Sequence, residues 1–433
     1  MDSLAEALLE LALASGAQVA EVYASSELLR PVIFEGNRLK QIETTQAEGM
    51  ALRLWRDGKP GLAVGYGPVD PALLVEKALA ISALNAAEDP DLTVDVQAED
   101  KPMCQSASVK EMVALGQGAI AQLRDAFPEV VCEAELSCDV ERTRLINSLG
   151  LDCRSEETTL SSFINAELVH QDDFLCVGDG DSSRSNLDMN RVTARILQRM
   201  KWAEHTVEPA TGQVPVIFTA AASWLLWDTL RAALNGKRVE EGTSPWSDRL
   251  GQPVIDKAIH LRQDPAVGPY SCRFDDEGVK TQALTFVDKG VLKGWYCDRA
   301  TGKKLQQAQK HPQASTGNGI RPGLGSYPTP GTINLLVTPG SADWDTLIGQ
   351  QKDAIIVDQV MGEGGDITGD MSVNLELGYR VRNGEIIGRV KDTMVAGNAY
   401  TALNHLIALG SDADWQGSTH TPSVVVGSLS VAG

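Results

Sequence analysis

From Cys132 to Asp173 the chain reads CEAELSCDVERTRLINSLGLDCRSEETTLSSFINAELVHQDD, alternating apolar with polar residues and breaking only at Asn147 to Gly150. Side chains on a strand point alternately to its two faces, so this spacing predicts long antiparallel strands joined by a tight turn. The same chemistry recurs elsewhere. Gly36-Asn37, Asp57-Gly58, Asp288-Lys289-Gly290 and Asn383-Gly384 each separate alternating runs and read as hairpin turns. A chain written this way is dominated by antiparallel sheet.

Helices occupy a few defined places. MDSLAEALLELALASGA sets Leu4, Leu8 and Leu11 on one face and stops at Gly16; residues 70–87 begin with Asp70 as N-cap and Pro71 at the first helical position. Further helical patterns cover 108–127, 187–204 and WLLWDTLRAALNGK at 224–237. After the first helix, QVAEVYASSE, LRPVIFE, RLKQIETTQ and GMALRLWRDG read as an antiparallel meander under that helix. The fold class is therefore α+β. At 433 residues two domains are expected, and EPATGQVP at 208–215 is the linker candidate. This divides the chain into an N-terminal α+β domain, 1–207, and a β-rich C-terminal domain, 208–433, with a central helix.

Composition narrows the function classes. The formal charge is −20, with 58 acidic residues against 38 basic, so a nucleic-acid backbone would be repelled and no direct nucleic-acid partner is expected. Seven cysteines, at 104, 132, 138, 153, 176, 272 and 297, include no Cys-x-x-Cys and fit neither a zinc knuckle nor a disulfide framework. The first helix lacks a basic leader, and no apolar run is long enough to span a membrane. A cytoplasmic location is the expectation.

The motifs give no complete catalytic constellation. MGEGGDITGDM (361–371) follows a buried-strand pattern, but a hairpin pattern rather than a helix comes next, so it reads as a glycine-rich β-loop and not a dinucleotide site. DGDSSRSNLDMN (179–190) starts like a calcium loop, yet has Arg184 where Gly is needed and Asn190 where Glu should close the cage; it reads as a loop capping the next helix. FDDEGVKTQ (274–282) clusters Asp275, Asp276 and Glu277 before Gly278. Such carboxylates can raise one another's pKa, although the local sequence favours an exposed turn. STGNG (315–319), with Arg321, offers backbone N–H groups and a guanidinium for a carboxylate, on what otherwise reads as a mobile loop. The six histidines form no metal-binding pair on one helix, and His405 reads as lying against its helix or the surface. Nothing near Cys272 or Cys297 promises a reactive thiol.

The blocks RFDDEGVKTQALTFVDKGVLKGWYCDRATGKKL, STGNG, VMGEGGDITGDMSVNLELGYRVRNGEI, TMVAGN and PSVVVGSLSVAG, with INSLGL and GTSPWSDRLGQPV before them, resemble the TldD/PmbA family, also called modulator of DNA gyrase. The resemblance covers most of the chain. It implies a dimer around an enclosed cavity that admits small or unfolded peptides. TldD-like members carry His-Glu-x-x-x-His on the central helix and a C-terminal cysteine ligand; the PmbA, or TldE, branch lacks them. On this chain the first His falls on Trp227, the Glu on Asp228 and the second His on Ala232, and no cysteine follows Cys297.

The resemblance thus implies a PmbA/TldE-like subunit with no catalytic or metal-binding residues and no cofactor of its own, the zinc lying in a TldD-like metalloprotease partner. It would act as a heterodimer, or as a homodimer. Peptide contacts are expected from three loops: Asp275, Asp276, Glu277 and Gly278; Gly317, Asn318 and Gly319; Gly364 and Gly365. Two alternatives stay open: a stand-alone metal-dependent peptidase using Asp276 and Glu277 with a remote His, and a homodimeric peptide-binding adaptor.

Overall fold

The computed structural model describes residues 2–101, 106–170, 173–310, 314–362 and 364–433. Cys104, His311 and Glu363 lie outside the described residues. The first half runs α1 (Asp2–Ala14), β1 (Val19–Leu29), β2 (Val32–Glu35), β3 (Arg38–Ile42), β4 (Thr45–Arg56), β5 (Lys59–Tyr66), α2 (Pro71–Leu84), β6 (Gln97–Asp100), α3 (Val109–Ala126), β7 (Val131–Asn147), β8 (Asp152–His170), β9 (Asp173–Ser183) and α4 (Met189–Trp202).

The long hairpin forms as its alternation requires. β7 and β8 stay in register from Val131↔Glu167 to Ile146↔Asp152, and Asn147 closes the turn by accepting from Leu149 N at 2.8 Å and Leu151 N at 3.2 Å. In the opening meander β1 to β4 fall on the four runs read as strands, and β5 follows them. Register runs unbroken from Val19↔Trp55 through Leu29↔Thr45 to Val32↔Ile42, so β1 with β2, and β3 with β4, are two halves of one long hairpin. Pro31, which has no N–H to donate, marks the interruption. β7 lies along the whole outer edge of β1 and β2, from Glu21↔Asn147 to Phe34↔Ala134.

The helices cover this sheet where their caps and apolar faces place them. Asp70 caps α2 from Ala72 N and Leu73 N, and Ser108 with Glu111 forms a reciprocal capping box on α3. Leu8 and Ala12 of α1 and Leu74 and Ala78 of α2 pack on Val22, Leu52 and Leu54. Gly61 lets α2 approach β5: a Cβ there would stand 2.0 Å from the Ala78 carbonyl oxygen. The 179–190 segment departs from the loop reading. Asp179 to Ser183 belong to β9, Arg195 holds Asp179 at 2.7 Å, Arg191 holds Asp181 at 2.9 Å, and only Asp188 caps α4.

In the second half β10 (Gly212–Phe218) leads into α5 (Trp224–Ala233). β10 pairs in parallel with strand Asp353–Met361 and antiparallel with strand Val424–Ala432; through Asp370–Arg382 and Met394–Asn398 the pairing returns on itself as a closed cycle. Period-2 alternation divides its residues between two cores. Val216, Phe218, Val424 and Val426 face α5, whereas Ile217, Ile356, Tyr379 and Val425 join α3, α4, β7 and β8. The second core is thus built from both halves of the chain. No helix among the described residues is long and apolar enough to cross a membrane.

Candidate functional site

α5 carries the first part of the site. Leu225, Leu226, Trp227, Leu230 and Ala233 are buried in the core, leaving Trp224, Asp228, Arg231 and Ala232 on the outward face at helical spacing. Trp227 is 0% exposed and donates its indole N–H to Thr421 Oγ1 at 2.6 Å. Asp228 meets Arg231 at 3.1 Å, and Arg231 also reaches Thr419 Oγ1. Burial raises the Asp228 pKa and the Arg231 charge opposes that rise.

This helix does not fit a zinc ion. An indole N–H is a donor without a lone pair, and an alanine offers no ligand atom. Among the described residues no group of three His, Cys, Asp or Glu side chains is arranged to hold a metal.

The glycine-rich loop lies on the same helix. It joins antiparallel strands, as its pattern required, and Thr229 Oγ1 donates toward the carbonyls of Gly365 at 3.4 Å and Asp366 at 3.3 Å. A Cβ on Gly364 would stand 2.7 Å from the Trp224 ring, so glycine permits the approach.

The other two loops meet each other, buried, and this corrects both the exposed-turn and the mobile-loop readings. Asp275 is 2% exposed and Asn318 0%. One Asp275 oxygen accepts from Glu277 N at 3.0 Å and Val279 N at 2.9 Å, holding the turn that Gly278 completes at φ +72; the other accepts from Gly319 N at 2.8 Å. The 315–319 backbone does hold a carboxylate, and it is one from its own chain. Asp276 accepts from Arg321 N at 2.7 Å and from the Tyr23 hydroxyl at 3.4 Å, while Glu277 accepts from Arg299 N at 2.8 Å. Asn318 donates to Gln263 and to the Gly331 carbonyl, both at 2.7 Å. Thr316 ties this loop to Cys297, beside Tyr296, whose hydroxyl donates to the Arg231 carbonyl on α5.

Burial sets the electrostatics. It pushes Asp275 up to about 7 against the three backbone N–H groups that lower it, and pushes Glu277 up to about 8, with Asp275 and Asp298 adding to the rise. Sequence reasoning missed the partners from the first sheet. Glu21, 1% exposed on β1, binds Arg53 at 2.9 Å and Arg321 at 2.7 Å, and the Arg321 guanidinium lies 4.9 Å from the centre of the Tyr23 ring. The available signal was a charged residue in a buried strand whose cross-strand partner, Arg53, is oppositely charged.

The remaining candidates are inert. His405 is exposed at the end of a short helix, its Nδ1 2.8 Å from the Thr401 carbonyl. Burial pushes Cys297 up to about 12 and Cys272 higher still, so neither is a thiolate near neutrality.

Residues 211–433 match the PmbA/TldA metallopeptidase C-terminal domain, and the chain belongs to the PmbA/TldD family. It is 25% identical to an uncharacterised protein of Methanocaldococcus jannaschii over 91% of this chain and 92% of that one, and 24% identical to a metalloprotease of Methanothermobacter thermautotrophicus over 91% and 88%. Escherichia coli O157:H7 metalloprotease PmbA is 25% identical over 52% of this chain and 47% of its own. Among solved structures, TldE from Thermococcus kodakarensis superposes with a TM-score of 0.88 at 22% identity, covering 99% of each chain. A candidate modulator of a DNA gyrase from Thermotoga maritima gives 0.85 at 22% identity, covering both chains fully. These likenesses carry the fold.

Proposed function

We propose that this chain is a PmbA/TldE-like, non-catalytic subunit that pairs with a TldD-like metalloprotease and completes the chamber in which small or unfolded peptides are cleaved. One observation carries the reading: Trp227, at the place of the first zinc-ligating histidine in TldD-like members, is buried and hydrogen-bonded to Thr421. A side chain so engaged is part of the core. Family membership and the resemblance in fold to TldE support the same reading. Asp276 and Glu277 already accept hydrogen bonds from Arg321 N and Arg299 N, which weighs against their serving as metal ligands in a stand-alone peptidase.

In this reading the zinc belongs to the partner, and the cytoplasm is the compartment. The test is metal analysis and peptide cleavage by this chain alone, by a TldD-like partner alone, and by the two co-expressed. Cleavage confined to preparations containing the partner is expected. Stoichiometric zinc and peptidase activity in this chain alone would overturn the proposal.

A further inference from the structure

Part of the outer edge of the first sheet has no neighbour. Residues 38–48 are exposed throughout; among the described residues β3 pairs with β2 alone, and β5 pairs with β4 only from Gly49 onward. Glu43 N donates to the Pro31 carbonyl at 3.1 Å, and Gly67 N donates to the Glu48 carbonyl at 2.8 Å. The backbone groups of an antiparallel strand alternate between its two edges, so these bonds fix the outward set: the N–H and C=O of Ile42, Thr44 and Gln46 point away from the sheet.

A row of open backbone groups is a template for another strand, and proteins usually blunt it with charge, proline or a bulge. Here the register shift between Ile33 and Phe34 and the charges of Arg38 and Lys40 all lie at one end. Residues 41–47, QIETTQA, contain no proline and a single charge, Glu43. Three large apolar side chains stand in solvent along the same edge: Leu39 is 40% exposed, Ile42 48% and Tyr66, at the end of β5, 73%.

We infer that this edge pairs antiparallel with the same edge of a second copy of the chain, joining two sheets across a two-fold axis near Ile42. Charge favours that occupant and that direction. The strand is basic at Arg38 and Lys40 and acidic at Glu43 and Glu48, so an antiparallel copy sets the basic end of each strand toward the acidic end of the other, whereas a parallel copy sets like against like. The free run 38–46, which ends where Gly67 closes the edge at Glu48, is centred on Ile42, and on a two-fold axis there its exposed side chain meets its own copy. The inference goes beyond the subunit proposal, which concerns a different partner chain.

The test is sedimentation equilibrium of the full chain, alone, over a dilution series. The unaltered chain should give the mass of two chains. Thr44→Pro removes an N–H that has no internal partner, and Ile42→Lys sets two like charges at the axis; each should weaken self-association by about tenfold or more while circular dichroism shows the fold intact. Leu84→Lys, at a residue 86% exposed on α2, should leave the dimer unchanged. A monomeric parent, or a dimer that both edge variants leave intact, would overturn the inference. So would a monomer that associates through this edge only when a TldD-like subunit is added. If Thr44→Pro does not fold, Ile42→Lys decides. Failure of the subunit proposal would appear instead in zinc content and cleavage, which do not depend on this edge.

Discussion

Asp275 and Glu277 sit side by side and do different work. Asp275 holds three backbone N–H groups, two in its own turn and one from Gly319, so Asp275→Ala strands three donors in the interior. Stranding them should destabilise the chain by about 2–3 kcal/mol in urea unfolding at pH 7, a figure set by the usual penalty for unpaired buried groups. Glu277 is chiefly a titrating group. Its folded pKa of about 8 exceeds the unfolded one, so the native state binds the extra proton between roughly pH 4.5 and 8. Its contribution is fully present below that window and is lost as the pH rises through about 8. Glu277→Gln, which keeps an oxygen for Arg299 N and cannot ionise, should match the parent near pH 4 and lose less stability by pH 9. A parent and variant that decline in parallel would show that Glu277 does not titrate there.

At the scale of elements, α5 is held as a core helix. Trp227→Ala should cost about 3–5 kcal/mol, the usual range for emptying a buried aromatic site, as measured by denaturant unfolding. Replacing Trp227 and Ala232 with histidine, and Asp228 with glutamate, should not yield stoichiometric zinc by metal analysis, because no cysteine follows Cys297 to complete the ligand set. Elements governed by local chemistry were legible in the sequence: the β7–β8 hairpin, the capped α2 and α3, and the 361–371 loop between antiparallel strands. What local chemistry does not encode was not. QVAEVYASSE and LRPVIFE read as two separate strands, yet β1 and β2 keep one register, with β7 lying along both. The polar composition of 274–282 and 315–319 pointed to solvent, but each loop supplies the other's hydrogen-bond partners, and such mutual satisfaction between distant segments leaves no local trace. Arg321 was legible as an anion holder, whereas its anion, Glu21, lies 300 residues away in sequence.

The whole molecule is joined across its halves by polar and apolar contacts together. Glu21, Tyr23 and Arg53 from the first sheet meet Asp276 and Arg321 from the second half, and the core around Ile217, Ile356 and Tyr379 packs on α3 and α4. Coupled in this way, the halves should unfold in one transition, and calorimetry with fluorescence should give coincident midpoints. In the proposed reading, α5 stands without ligands where a TldD-like subunit would hold zinc, and peptide hydrolysis would come from a partner. The decisive measurement is zinc content and peptide cleavage of this chain purified alone and after co-expression with a TldD-like subunit. The expected result is no stoichiometric zinc and no cleavage alone, with both appearing in a stable complex. Zinc and cleavage in this chain alone would contradict the account.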